Sequence, residues 1–551
     1  MAKLSSDQGD IKHSDDPNIN AFIKETVNRL NDYCEVQTKR FNELIKIGVA
    51  LSSTRNLDQL LEMIVEQARE FTNCDGATLY MVSEDEQFLD FTILQTKSLG
   101  FRMGGLKGTE VTLPPVPLYK DGEPNNTHVS AYVANTGNTV NIPDVYEVDG
   151  FNFQGTRKFD ELNNYRSMSM LVVPMQDHEG EIIGVLQLIN AKDSESGETV
   201  SFAPRFQMLT EALASQAAVA ITNARLIREQ QNLFDSFIKT IAAAIDAKSH
   251  YTGGHIERVA NLTMDIALRI NETKEGPYAD VFFNDDELYE LRLAAWLHDT
   301  GKITTPEHVV DKRTKLETIF DCEELVRTRF ELAISNRKAQ ILSDKCSLVD
   351  SRFRGNDAII DGLIEDLNFV VNSNKTSEFV PDDKIQRLQD IASRTTETTD
   401  GEIPLLTENE FYNLSIRKGN LTVEEREIIE NHAHMTQELL ERLPFPKKLR
   451  NVPFYAGSHH EKLSGKGYPK GLTEEQIPLQ ARIMALADVF EALTAKDRPY
   501  KDAKKMSEVL RILGFMVKDR ELDGDLVKFF LDQGMHLEYA KKHLDPDQID
   551  I

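Results

Sequence analysis

The chain of 551 residues has few cysteines, one tryptophan, a deficit of positive charge and no long apolar run. Its four cysteines, Cys34, Cys74, Cys322 and Cys346, lie far apart and form no CxxC pair. That argues against a disulfide framework and a thiolate metal site, and it fits a reducing cytoplasm. Lys and Arg together number 63 against 90 Asp and Glu, a formal charge of -27 at pH 7. An acidic surface repels a nucleic-acid backbone and an anionic membrane, so neither is expected as a partner, and a charged ligand has to meet a local basic pocket. No stretch approaches the roughly 20 apolar residues that span a bilayer, and residues 1–18 lack the apolar core of a signal peptide. The expectation is a soluble, cytoplasmic protein of about three domains.

Against these shortages stands a set of histidines and aspartates in five separate segments. His255 lies in GGHIERV, His298 and Asp299 in HDTGK, His432 in IENHAHM, His459 and His460 in HHEKLSGKGYP, and Asp488 in ALADVF. A lone histidine is more often a hydrogen-bonded core residue, and one His-Asp pair is weak evidence. Five imidazoles and two carboxylates without thiolate suit iron, manganese or zinc in a site with open positions better than a closed structural zinc site. His459 and His460 are adjacent, and neighbours on a helix point about 100° apart. They therefore need a distorted turn or a helix end to serve one centre.

Along the chain, residues 1–18 are polar and expected to be disordered. From 19 to 54, Ile23, Val27, Leu30, Cys34, Phe41, Leu44 and Leu51 recur near heptad spacing, which predicts a helix that packs on its own domain or forms a dimer seam. Residues 55–225 alternate helix and strand signals: LDQLLEMIVEQAREFT is amphipathic, whereas GATLYMVS, QFLDFTIL, SMLVVPMQ and GEIIGVLQLINA read as strands. A helix then runs without Gly or Pro through 226–237 into the site-bearing region. Between about 313 and 417 lies an insertion, read as helical stretches separated by polar breaks such as VNSNKTSEFVPDD and TTETTDGE, either a lid or an inert surface addition. Residues 516–551 read as a C-terminal helical tail. Cys74, beside a predicted strand start, reads as a small buried residue rather than a bilin attachment site.

The motifs HDTGK, HHExxxGxGYP and ADVFEALTAKDRPYK, in that order, resemble the HD-GYP family of phosphodiesterases over residues 238–515. GVLQLINA and LASQAAVAITNARL resemble a GAF domain. The resemblances imply a multidomain chain: an α+β GAF domain with an antiparallel sheet flanked by helices, joined by a long helix to an all-α HD-GYP domain with a helical insertion. They imply a phosphodiesterase acting on cyclic di-GMP, with either pGpG or GMP as the final product, and with two divalent ions, iron or manganese. One ion would be held by His255, His298, Asp299 and Asp488, and the other by the shared Asp299 with His432, His459 and His460. Paired ions of this kind activate a water and stabilise charge on phosphorus. Asp299 and Lys302 would be catalytic, with Lys302 also contacting substrate. Gly467, Tyr468, Arg498 and Lys501 would bind substrate, with Arg and Lys supplying the positive charge the surface lacks.

Family members that bind a third ion carry a glutamate where this chain has Tyr251, so two ions are expected. Ser464 and Glu491 stand where the family usually has Asp. The GAF domain implies an unidentified small ligand or a homodimer. Two other readings remain open: a catalytically weak cyclic-dinucleotide receptor, and an HD hydrolase for another substrate such as cyclic GMP-AMP.

Overall fold

The computed structural model describes residues 16–54, 56–248, 254–347, 357–375, 379–495 and 504–551. They fall into two units, Met1–Leu233 and Phe234–Ile551. Arg498, Lys501 and Tyr251 lie outside the described residues, as does the start of the expected polar tail.

The N-terminal unit opens with α1 (Pro17–Ser53), on which Val27, Leu30 and Cys34 are exposed. The next helix, α2 (Leu57–Thr72), begins where the Asn56 side chain accepts from Gln59 N and ends at Asn73 in the left-handed region. Then come β1 (Cys74–Val82), β2 (Phe88–Thr96), β3 (Phe101–Gly104), β4 (Val116–Pro117), β5 (Tyr119–Lys120), β6 (Glu123–Pro124), α3 (Val129–Thr136), β7 (Val140–Ile142), α4 (Gln154–Asn163), β8 (Met170–Gln176), β9 (Ile182–Lys192) and β10 (Thr199–Val200). The main sheet runs β3-β2-β1-β9-β8-β7 with antiparallel pairings. Its central strands read as continuous apolar runs because both faces are covered. Leu79, Leu171, Val173, Leu186 and Leu188 pack with Leu60, Ile64, Leu213 and Ala217 on one side. Tyr80, Met170, Val172 and Val185 pack with Val129 and Val145 on the other. The period of two along each strand assigns the sides.

Cys74 is buried, its Sγ 3.2 Å from the Gly76 carbonyl, and burial pushes its thiol up to about 12. The native chain treated with iodoacetamide at mildly alkaline pH is therefore expected to carry the label on exposed Cys34 and not on Cys74, as read by peptide mass mapping. Equal labelling of the two would contradict the packing of β1.

Helix α5 (Pro204–Asp246) carries the chain from one unit into the other. The C-terminal unit continues with α6 (His255–Glu272), α7 (Asp285–Leu297), a 3₁₀ turn (Thr300–Thr304) and α8 (Glu307–Val310). The insertion follows as α9 (Glu323–Ser347), α10 (Ala358–Lys375), α11 (Asp382–Ala392), a hairpin of β11 (Thr395–Thr398) and β12 (Gly401–Pro404), and α12 (Glu408–Leu414). The chain closes with α13 (Val423–Glu441), α14 (Val452–Gly457), α15 (Leu479–Thr494), α16 (Met506–Lys518), α17 (Gly524–Asp532) and α18 (Met535–His543).

Three expectations need correction here. TTETTDGE, read as a polar break, pairs as the β11–β12 hairpin, so the insertion is not wholly helical. VNSNKTSEFVPDD does not interrupt at its start, because α10 runs on to Lys375. Residues 516–551 are no tail, since Leu522, Leu526, Phe530, Met535 and Tyr539 belong to the same core as α6, α7 and α15. The insertion has a core of its own, built from residues such as Phe330, Val370, Leu388, Ile391 and Leu414. The buried Lys312 ammonium, donating to Glu425 on α13 and to Asn413 on α12, ties it to the helix that carries His432.

Candidate metal centre

The sequence-predicted ligands are delivered by helix ends and by two helix interiors. His255 is the first residue of α6, after Gly254 with φ +77°. His298 and Asp299 follow α7, whose apolar run LRLAAWL is buried at Leu291, Leu293, Ala294, Ala295 and Leu297. His432 lies within α13 and Asp488 within α15. His459 and His460 lie in a turn beyond α14, which ends at Gly457, the geometry that two adjacent histidines require.

The donor atoms of His255, His298 and Asp299 lie within 4.8 Å of one another, and so do those of His432, His459 and His460. Asp488 Oδ1 is 3.3 Å from His255 Nε2 and joins the first group. The His298 and His459 rings, one from each group, are 4.9 Å apart. Asp299 faces both groups. Its Oδ2 is 3.6 Å from His255 Nε2 and 3.3 Å from His298 Nε2, while its Oδ1 is 3.5 Å from His432 Nε2.

Three imidazoles are oriented the same way. The Nδ1 of His298 donates to Ala295 O at 2.8 Å, that of His432 to Ile429 O at 2.5 Å and that of His459 to Ala456 O at 2.6 Å. Each carbonyl lies three residues earlier, so the bond at Nδ1 fixes the ring and turns Nε2 toward the site. All three Nε2 atoms are buried without a hydrogen-bond partner. Buried polar atoms left this way are costly unless something binds them. Their convergence with two carboxylates fits divalent cations.

Burial holds His432 and His459 below the usual imidazole range and brings His460 to about 3. All three are therefore neutral at pH 7, the form that donates a lone pair. His255 and His298 differ: burial pulls both down, but Asp488 and Glu491 outweigh burial at His255 and raise it to about 10, and Asp299 outweighs burial at His298 and raises it too. A cation at this group has to displace the His255 proton, so binding there releases one.

Glu491, a departure from the family pattern in sequence, has a role that reading missed. Its Oε2 accepts from His255 Nδ1 at 2.5 Å and its Oε1 from Arg258 Nε at 2.7 Å, with the carboxylate almost wholly buried. It stands three residues after Asp488 on α15, so one helix face carries both a candidate ligand and the group that aims another. Glu491→Gln is expected to weaken metal affinity by about 10- to 100-fold, measured by competition with a chromogenic chelator. Unchanged affinity would remove the aiming role.

Lys248, just past α5, was also missed: its ammonium donates to the carbonyls of Lys302, Ile303 and Thr305 at 3.1, 2.5 and 2.7 Å. Backbone acceptors leave no mark in a sequence. Thr436 on α13 closes the same turn, with Oγ1 accepting from Gly301 N at 2.8 Å and donating to His298 O at 2.9 Å.

Of the substrate-facing residues, Lys302 lies at the rim with its Nζ 2.6 Å from Asp299 Oδ2. Burial works against its charge, but Asp299 outweighs burial and raises its pKa, so it stays protonated. The Tyr468 ring packs against His460 at 4.8 Å and His432 at 6.5 Å. Gly467 is required by close approach, since a Cβ there would meet Lys462 N at 2.3 Å and Glu461 Cα at 2.5 Å. Buried Glu461 shapes the loop by accepting from Lys470 N and Leu472 N.

The GAF domain family matches residues 56–221, and HD domain families match 252–359 and 406–526. The chain carries a GAF domain followed by HD-domain segments. The 3'3'-cGAMP-specific phosphodiesterase 3 of Vibrio cholerae is 39% identical over 97 residues, 18% of this chain and 20% of that protein. The cyclic di-GMP phosphodiesterase response regulator RpfG of Xanthomonas campestris is 41% identical over 98 residues, 18% of this chain and 25% of that protein. The chain thus spans a quarter or less of the length of these relatives. The GAF domain of an Acinetobacter phosphoenolpyruvate-protein phosphotransferase matches 35% of this chain and 98% of its own length at 17% identity, with a TM-score of 0.26. Among the described residues no helix is long and apolar enough to cross a membrane.

Proposed function

We propose that the HD-domain unit is a metal-dependent phosphodiesterase of the HD-GYP kind, hydrolysing cyclic di-GMP to pGpG or GMP. The observation that carries this reading is Asp299, whose two oxygens face two separate histidine groups. Two ions, iron or manganese, would be held by His255, His298, Asp299 and Asp488 on one side and by Asp299, His432, His459 and His460 on the other. When bound, they supply Lewis acidity toward the phosphate and an activated water. The chain's own part is to aim the lone pairs and to hold the substrate. Lys302, kept protonated beside Asp299, offers a cation and a hydrogen-bond donor to a phosphate oxygen and does not act as a base. Tyr468 offers a ring face to a base, and Arg498 and Lys501 are assigned to the phosphates.

Cyclic GMP-AMP is the second candidate substrate, because relatives named for each dinucleotide match at 39% and 41% identity. The GAF domain is read as a ligand sensor, and the exposed stripe of α1 as part of a homodimer seam in the cytoplasm. Anaerobic purification, metal analysis and chromatography of both dinucleotides incubated with the protein test the proposal. Loss of cyclic di-GMP with appearance of pGpG is the expected result, and an inert protein with two bound ions would leave only the receptor reading.

A further inference from the structure

Lys248 spends its whole ammonium on backbone. An ammonium has three protons to give, and this one meets the carbonyls of Lys302, Ile303 and Thr305 at 3.1, 2.5 and 2.7 Å. These carbonyls lie at the end of the 3₁₀ turn Thr300–Thr304 and just past it. Continuing that turn would bring the N–H of residue 306 to Ile303 O, but the residue is Pro306 and has none. Thr305 is buried, where a carbonyl without a donor is costly.

The lysine stands on a fixed base. Ala242 and Ile245, near the end of α5, pack with Ile256 of α6, and Trp296 of α7 lies against them. The Asp246 carboxylate accepts from Ile256 N at 3.4 Å, at the start of a helix whose cap residue, Gly254, has no side chain to offer. The end of α5 is thereby pinned to the helix that carries His255. From there Lys248 reaches across to the turn that carries Lys302.

We propose that Lys248 is a positioning residue: it sets the backbone at Lys302, so that the Lys302 ammonium stands beside Asp299 Oδ2 and meets a phosphate oxygen. The inference rests on the reading of this unit as a phosphodiesterase. Lysine carries its charge on a flexible four-carbon stem, so a loose backbone beneath it would spread the ammonium over many places. Ile303 and Thr304 are exposed and leave the turn room to move once its three carbonyls are released.

The test uses the full chain with Lys248→Met, which keeps the stem and removes the ammonium, alone and combined with Lys302→Met. Lys248→Met is expected to lower kcat/KM for cyclic di-GMP by about tenfold to a hundredfold, and the double variant to be no slower than Lys302→Met alone. Hydrogen exchange followed by mass spectrometry is expected to quicken in the peptide spanning 299–306 and to stay at the wild-type rate in α6 and α13, which separates release of the turn from misfolding. Losses that multiply in the double variant, or unchanged exchange at 299–306, overturn the proposal. A wild-type chain inert toward cyclic di-GMP overturns the phosphodiesterase reading instead, and the exchange result alone then decides whether Lys248 holds the turn.

Discussion

Asp299→Ala is expected to lower cyclic dinucleotide hydrolysis by about a thousandfold or more and to reduce bound metal at both histidine groups. The two Asp299 oxygens divide between His255 and His298 on one side and His432 on the other. Removing the carboxylate also leaves the Lys302 ammonium without its close partner, at a rim where it was held by a 2.6 Å contact. Uncompensated charge next to five imidazoles disfavours cations further. Initial rates followed by chromatography, with metal content measured on the same preparations, check the expectation. A variant that keeps its rate and both ions would show that the two groups do not work through a shared carboxylate.

Gly301→Ala is expected to destabilise the C-terminal unit by on the order of 3 kcal/mol or more, beyond the usual cost of one extra methyl in a packed interior. A Cβ at this position would lie 1.9 Å from the His432 carbonyl oxygen, 2.6 Å from Thr436 N and 2.8 Å from Thr436 Oγ1. Two of these obstacles are helix backbone and cannot swing aside. The turn bearing Asp299 and Lys302 must then lift from α13, breaking the Gly301 to Thr436 hydrogen bond and separating Asp299 from His432. Thermal unfolding and hydrolysis rate are expected to fall together. Wild-type melting and activity in this variant would contradict the close approach of the turn to α13.

The candidate ligand set was legible because its seven members sit in five short motifs, and because histidine and aspartate without cysteine narrow the chemistry. The expected span of α2 agrees with Leu57–Thr72, since its apolar positions repeat with helical period and Asn56 caps it. The long central strands were legible as apolar runs. The short strands β3 to β7 were not, because segments of two to four residues carry no period. The hairpin in the insertion was hidden by its polarity, although its threonines favour strands and Asp400–Gly401 favours a turn. Glu491 looked like a mere variation, because its contact with His255 joins residues 236 positions apart and exists only once α6 meets α15.

Three of the histidines take their aim from a carbonyl three residues back, a partner present whatever side chains surround it. His255 opens its helix and has no such preceding turn, so it borrows a carboxylate from α15. Robustness is therefore uneven across the site. Sequence drift around His298, His432 and His459 leaves their orientation intact, whereas one change at Glu491 releases His255. Engineering that seeks to swap the preferred ion or tune its hold has its most economical lever there, outside the set of groups that touch the ion.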